Sequence, residues 1–306
     1  MKATIVIPAY NAVETLPLTL QALNRQEATG FEVVVVDDAS TDDTSQAARD
    51  HAGMLDLRVL RCRENRGRAQ ARNFGVEQAR SEIILLLDSD IEPSPGYLSA
   101  HLALHESLER AVGIGALRYP PYLANQALAR YNATRGGAKV PPGQELPGRY
   151  FISGLASFPK ALFEAAGKFD PRFSFYGEDQ ELGLRFKKLG AHLRYVREAV
   201  GYHHHLRPLK EMLDLLEIYG RESIPRILEL HPEFAAELFV DDLFVDSTNS
   251  PITRLGRRLA AAGIFYRPLA SFAHKYSSGW LPPPLLTYLI WAAYRRGFAV
   301  SLITNS

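Results

Sequence analysis

The 306-residue chain reads as an α/β protein: a Rossmann-like, mostly parallel sheet flanked by helices, with a helical C-terminal extension. Three observations predict this. Apolar, β-branched runs alternate with segments of helical spacing through the first half, the signature of βαβ units joined by right-handed crossovers. The runs at Phe31–Val36 and Ile83–Leu87 are nearly unbroken, so their strands read as buried on both faces. Acidic groups follow two of them, at the carboxyl ends where sheets of this kind bind ligands.

The elements follow in order. Ala3 to Ala9 is the first strand. Val13 to Arg25 has helical spacing through Leu16, Leu20 and Leu23. Phe31 to Val36 is a second strand, and Asp42 or Asp43 caps a helix that runs to about His51. Leu57 to Cys62 is the third strand, Gly67 to Arg80 a helix, and Ile83 to Leu87 the fourth strand. Beyond residue 112 the pattern loosens. Val112 to Leu117 reads as a strand, and residues 132–149, rich in Gly, Pro and Arg, read as a mobile loop. Order returns over Tyr150 to Phe158, in a helix from Asp179 to Leu189 and in a strand from His192 to Val196. Leu209 to Leu230 is a long amphipathic helix interrupted at Pro225. A catalytic domain over residues 1–206 is expected, with a nucleotide-binding half to about 115 and an acceptor half over 116–206. Residues 207–306 form the helical extension.

Composition narrows the function. The chain is 46% hydrophobic with a formal net charge of +1, which argues against a nucleic-acid binder, normally rich in Lys and Arg. The single cysteine, Cys62, excludes an internal disulfide and a cysteine-cluster metal site. The opening residues give too short an apolar run for a signal peptide. No stretch reaches the ~20 apolar residues that span a bilayer. A reducing, cytoplasmic location is expected.

The most informative stretch is Ile83-Ile84-Leu85-Leu86-Leu87-Asp88-Ser89-Asp90. Two carboxylates at the exit of a buried strand are costly unless a cation satisfies them. Hard oxygen ligands suit Mg²⁺ or Mn²⁺, which usually reach proteins through one or two carboxylates plus substrate phosphates. The same residues, followed by Glu92-Pro93-Ser94-Pro95-Gly96, are also good turn chemistry. After the second strand, Asp37 and Asp38 can accept from a ribose or a base N–H, while Asp42 reads as a helix cap. Around Gly67, which permits close backbone approach, a helix N-terminus attracts phosphate. Arg68 and Arg72 share one face of that helix. Arg66 and Arg68 read as a solvated basic face, and Arg72 as a phosphate or base contact. Glu178 and Asp179 open a helix, where acids complement the dipole. A carboxylate there can also act as a general base toward a hydroxyl. The run His203-His204-His205 after Tyr202 reads either as an incidental surface run or, lying beyond a late strand, as the source of a metal ligand. There is no Gly-x-Gly-x-x-Gly after the first strand and no Walker-type Gly-Lys-Ser/Thr, against a dinucleotide dehydrogenase or a P-loop enzyme. The first strand ends instead in Pro8-Ala9-Tyr10-Asn11, with Glu14 close behind.

Seven motifs in order resemble glycosyltransferase family 2, with its GT-A nucleotide-sugar fold, over about residues 3–220. They are Pro8-x-Tyr10-Asn11, Asp37-Asp38-x-Ser40-x-Asp42, Asn65-x-Gly67-x3-Ala71-Arg72-Asn73, Asp88-Ser89-Asp90, Gly167-x-Phe169-Asp170, Gly177-Glu178-Asp179-x-x-Leu182-x-x-Arg185 and Val200-x-Tyr202-His203-x-His205. No single one is specific; their order and spacing are. The resemblance implies a metal-dependent, inverting, non-processive transfer of one sugar from a nucleoside-diphosphate sugar, expected to be UDP-linked, to a hydroxyl of a glycan or lipid-linked acceptor. Cell-envelope glycan, polysaccharide or glycolipid synthesis is the expected setting. By the same resemblance Pro8 and Tyr10 line the base pocket, with Asn11 and Glu14 beside them. Asp38 reads the base next to Asp37, and Gly67 and Arg72 meet the nucleotide. Asp88, Ser89 and Asp90 form the diphosphate anchor, Asp90 being the direct ligand of Mn²⁺ or Mg²⁺ with His203 near it. Asp179 is the base, and Glu178 orients it or contacts the acceptor. The Gln-x-x-Arg-Trp motif and the membrane spans of processive synthases are missing, and Ser153 to Phe158 lacks the asparagine that many members carry.

Two other classes compete. A sugar nucleotidyltransferase would place a Gly-rich, Arg/Lys-containing loop after the first strand, where Pro8-Ala9-Tyr10-Asn11 stands. A non-catalytic nucleotide-sugar-binding module would lack one of the acid pairs at 88–90 and 178–179. The tail over 254–296 mixes Arg254, Arg257, Arg258, Arg267 and Lys275 with apolar and aromatic residues. It reads either as a helical extension that packs on the catalytic domain or makes a homodimer contact, or as a peripheral segment on the inner face of an anionic membrane.

Overall fold

The computed structural model describes residues 1–173, 176–235 and 265–304. Two compact units emerge: Met1–Pro120, Ala133–Ser174 and Glu178–His205 form the first, and Pro121–Asn132, Phe175–Gly177 and Leu206–Ser306 the second. The segment Pro121–Asn132, expected with the acceptor half, thus clusters with the C-terminal residues.

The first unit is built on one eight-stranded sheet of order β3-β2-β1-β4-β7-β6-β8-β5. Its strands are β1 (Ala3–Ala9), β2 (Phe31–Asp37), β3 (Leu57–Arg61), β4 (Ile83–Leu87), β5 (Ile91–Pro93), β6 (Ala111–Arg118), β7 (Leu155–Pro159) and β8 (His192–His203). Strands β1 to β4 are mutually parallel, as the βαβ alternation requires. Strand β7 runs antiparallel between β4 and β6, and β5 antiparallel to β8, so the sheet is mixed rather than mostly parallel on that side.

The unbroken apolar runs bury both faces of the sheet. Val6, Val34, Val36, Ile84 and Leu86 face one core with the aromatics Phe151, Phe158, Phe163, Phe169 and Phe186. Ile5, Ile7, Val33, Val35, Leu85 and Leu87 face the other, with Leu16, Leu20 and Leu23 of helix α1 (Leu16–Asn24). Helices α2 (Thr44–Arg49), α3 (Arg68–Gln78) and α4 (Tyr97–Ser107) complete the crossovers. Gly75 lets α3 lie directly on β1 and β2: a Cβ there would strike the side chains of Val6 and Val36. At the start of α2, Asp43 makes no side-chain cap, whereas Asp42 accepts from the Thr44 N–H at 3.0 Å. The 132–149 stretch, expected as a mobile loop, contains short 3-10 turns at Gly136–Lys139 and, at its end, Gly148–Tyr150.

Strand β8 runs seven residues past its expected end. A register shift opposite Gly115 and Ala116 loops out Arg197–Ala199 and lets pairing with β6 resume at Val200. The continuation carries the strand to His203, where it pairs with Ile91.

The second unit is helical. Its core gathers Leu128, Tyr131, Leu209, Leu213, Tyr266, Leu281, Leu286 and Leu289. The expected long helix is split into Leu209–Ile218 and Ile224–Leu230 by a π-helical turn, Tyr219–Ser223. The break precedes Pro225, whose ring and missing N–H disturb the preceding turn. A helix Tyr266–Lys275 and a 22-residue helix Pro283–Thr304 follow. Arg254, Arg257 and Arg258 lie outside the described residues. Among those described, no helix is long and apolar enough to cross a membrane.

Candidate active site

The carboxyl ends of β1, β2, β3 and β4 meet along one edge of the first unit's sheet. Asp37, the last residue of β2, is fully buried. Its carboxylate accepts from the Ser40 N–H at 2.8 Å, from the Ser45 hydroxyl and from Arg61 Nη1 at 3.1 Å. Burial opposes its ionisation, yet these donors hold its carboxyl below the usual range. Asp38 accepts from the backbone N–H groups of Arg66 at 3.0 Å and Gly67 at 2.8 Å. That clamps the turn in which Gly67 takes φ +82 and opens α3. Both carboxylates thus take protein donors and shape the wall of the site. Asn11, at φ +51, ties the end of β1 to the same loop, its amide oxygen accepting from the Thr41 N–H at 2.8 Å. Pro8 pairs with Val36 in the sheet. Tyr10, 49% exposed, and Glu14 face solvent beside it. Ser89 contributes its carbonyl, which accepts from the Thr19 hydroxyl at 3.1 Å.

Four charged residues meet at the exit of β4. Arg72 is buried, and its Nη2 donates to Asp88 Oδ1 at 2.8 Å. Its Nη1 lies 3.7 Å from Glu178 Oε1. Arg68 reaches the same Glu178 oxygen at 2.8 Å, so this residue of the solvated face also joins the network. Burial works against the Arg72 cation, but Asp88, Asp179 and Glu178 outweigh it and raise its pKa. Burial, then the charge of Asp179, pushes the Glu178 carboxyl up despite the two arginines.

Backbone contacts fix the two aspartates. The Asp88 N–H donates to the Gly154 carbonyl at 3.2 Å, and a Cβ on Gly154 would collide with the Asp88 carboxylate. Asp179 sits in the first turn of the Glu178–Lys188 helix. The turn Gly148–Tyr150 packs against that helix where Gly148 faces Gly183; a Cβ on Gly148 would lie 2.8 Å from the Gly183 carbonyl. This brings the Ser153 N–H to Asp179 Oδ2 at 3.1 Å. The other oxygen, Asp179 Oδ1, is buried with no hydrogen-bond partner among the described residues, and so are Arg72 Nε and Nη1 and the Ser153 hydroxyl.

Asp90 and His203 come together because β5 starts immediately after Asp90 and pairs with the end of β8. His203 Nε2 lies 3.0 Å from Asp90 Oδ2, and the His204 N–H donates to the Asp90 carbonyl at 2.9 Å. Burial disfavours the Asp90 carboxylate, but the hydrogen bond and charge of His203, with His205 behind, bring its pKa down. Among the described residues no three His, Cys, Asp or Glu side chains form a closed metal cluster. Asp88 leans to Arg72, and Asp90 with His203 is the pair left. A carboxylate and an imidazole fit a divalent ion of the Mn²⁺ type that completes its shell with phosphate oxygens.

Sequence reasoning missed Arg61, Ser153 and Gly154. The run Ser153-Gly154 before a strand was the available signal, but only the antiparallel insertion of β7 beside β4 shows that it meets Asp88.

This fold is the GT-A glycosyltransferase fold. The mannosyltransferase PcManGT of Pyrobaculum calidifontis, solved with GDP-Man and Mn²⁺, superposes with a TM-score of 0.63 at 20% identity, covering 100% of this chain and 88% of that one. TarS of S. aureus in complex with UDP-GlcNAc gives 0.56 at 20% identity, covering 99% and 92%. The family model for glycosyl transferase family 2 matches residues 4–165, more than half of the sequence, and the chain belongs to that family. Among curated relatives, the uncharacterized glycosyltransferase YfnE of Bacillus subtilis is 28% identical over 253 residues, 66% of this chain. The chain spans 64% of that relative's length.

Proposed function

We propose that this chain transfers one sugar from a nucleoside-diphosphate sugar to a hydroxyl acceptor, with inversion at the anomeric carbon. The observation that carries the reading is Asp179: one oxygen is held by the Ser153 N–H, while the other is buried and partnerless. Buried polar atoms of native proteins are normally paired, so an acceptor O–H is a fitting partner for Asp179 Oδ1. The acceptor oxygen attacks the anomeric carbon as its proton passes to that carboxylate. The bond from the anomeric carbon to the phosphate oxygen breaks on the opposite face, and the diphosphate leaves with the electron pair. Glu178, tied to Arg68 and Arg72, fixes the helix start that carries the base.

Arg72 stands behind the leaving group, coupling Asp88 to the base side of the site. Asp90 and His203 would hold a divalent cation, with Asp88 beside them. Such a cation supplies positive charge against the departing diphosphate. Tyr10, Pro8 and Glu14 line the nucleoside side, on a wall built by Asp37, Asp38, Asn11 and Gly67. The relatives' ligands, UDP-GlcNAc for TarS and GDP-Man with Mn²⁺ for PcManGT, support a nucleotide-sugar donor and Mn²⁺ as the first ion to try. A UDP-linked donor and a glycan or lipid-linked acceptor in cell-envelope glycan synthesis complete the reading.

The test is incubation with a panel of nucleotide sugars and Mn²⁺, following nucleoside diphosphate release. Release, accelerated by a hydroxyl acceptor, is expected. Pyrophosphate release from a nucleoside triphosphate would indicate nucleotidyl transfer instead, and binding without turnover a non-catalytic module.

A further inference from the structure

The second unit carries a surface that transfer does not use. From Pro251 to Ser306 the sequence holds seven Lys and Arg and no Asp or Glu, in a chain whose net charge is only +1. Within it, the helix Tyr266–Lys275 buries Tyr266 and Ala273. Helical spacing puts Phe265, Leu269, Phe272 and Tyr276 in a stripe about a quarter turn away. Three of these are open to solvent: Phe265 is 55% exposed, Phe272 51% and Tyr276 46%. The Phe272 and Tyr276 rings lie 4.8 Å apart, and Lys275 Nζ sits 5.7 Å from the Tyr276 ring. Trp280, just beyond the helix, is 68% exposed. Arg267, His274 and Lys275 occupy the rest of the solvent-facing side.

We infer that this stripe docks on an anionic lipid surface. Four exposed aromatics on one short segment, two of them with rings in contact, are costly in water and suit the headgroup boundary, where Trp and Tyr rings settle with one edge wet. Cations on the polar side, with no carboxylate in the whole tail, complement an anionic leaflet. A second copy meeting the same face would set cations against cations across a two-fold axis, and nothing acidic in the segment relieves that. Arg296 pairs with Glu217 at 3.4 Å, so among the described residues the attraction falls to Arg267 and Lys275.

Flotation of the full chain with vesicles of phosphatidylcholine, alone or mixed with phosphatidylglycerol, tests this. The chain is expected to float with the anionic vesicles, to stay behind with phosphatidylcholine alone, and to be released by high salt. Replacing Phe272 and Trp280 by Ser should lower the bound fraction roughly tenfold or more, because each buried ring contributes on the order of a tenfold change in partition. R267E with K275E should weaken binding without touching the rings. Unchanged thermal unfolding and nucleotide-sugar turnover verify that the variants fold; Trp280→Ser alone serves if the double change is destabilising. Failure of the full chain to float on anionic vesicles would overturn the proposal. So would equal flotation of the aromatic variants, or a dimer mass in solution that those substitutions abolish.

Discussion

Arg72 is a buried cation at the centre of the site. It lies among Asp88, Glu178 and Asp179, and two of its nitrogens make no hydrogen bond among the described residues. Arg72→Met would leave Glu178 buried with only the half-exposed Arg68 against it. Removing one partner of a buried ion pair typically costs about 3–5 kcal/mol, so the unfolding free energy obtained from urea melts should fall by an amount in that range. Arg72→Lys keeps the charge but not the two-sided reach of a guanidinium, and should lie between. At Asp90 the expectation concerns binding rather than stability. In Asp90→Ala, the Mn²⁺-dependent part of the thermal shift given by UDP or GDP should vanish, since bound ligand raises apparent stability by mass action. An unchanged shift would remove Asp90 as the ion's ligand. The family resemblance singled out Arg72, Asp88, Asp90 and Asp179 for the site. It did not show that Arg68 joins Glu178 or that Asp37 and Asp38 take the protein donors that shape the wall. Those facts depend on which loops fold back onto the strand ends.

Beneath the sheet, α4 presents two histidines to one serine of β7. His101 Nδ1 and His105 Nε2 each lie 2.8 Å from Ser157 Oγ. Gly113 makes room: a Cβ there would come within 2.8 Å of both Ser157 Oγ and His101 Nδ1. Burial lowers His101 to about 3, helped by the nearby His105, and burial lowers His105 to about 4. Both are therefore neutral in the folded chain, while the unfolded chain takes up their protons below about pH 6.5. The unfolded state binds more protons in this window, so stability rises with pH across it. The contribution is complete above about pH 6.5 and is lost as the pH falls toward 4. The loss is roughly 1.4 kcal/mol per histidine per pH unit at most. Urea midpoints measured from pH 7 to pH 5 should fall steeply for the native chain and less so for His105→Gln. At this scale the sequence was legible where runs were long: β1 and β4 have their expected bounds. It was not legible for β5, only three residues long, or for the second half of β8, which continues past a bulge that propensity does not encode.

For the molecule as a whole, the parallel half follows from apolar runs buried on both faces, a pattern few other architectures share. The antiparallel half was hidden because β7 and β5 gain their pairing from distant partners, β4 with β6 and β8. That half nonetheless places Ser153 against Asp179 and His203 against Asp90, so the contacts that hold these two carboxylates are a product of topology. The tail's helices were foreseen as a class, but the π turn ahead of Pro225 and the exposure of Phe272 and Trp280 needed coordinates. The central claim is that Asp179 takes the acceptor proton. The most direct measurement is nucleoside diphosphate release, with acceptor and Mn²⁺, by Asp179→Asn compared with the native chain on the nucleotide sugar that gives the largest thermal shift. General-base catalysis is worth typically 10²–10⁴-fold, so the variant should bind with the same shift and turn over at least about a hundredfold more slowly. Turnover within a few-fold of the native rate would contradict the assignment.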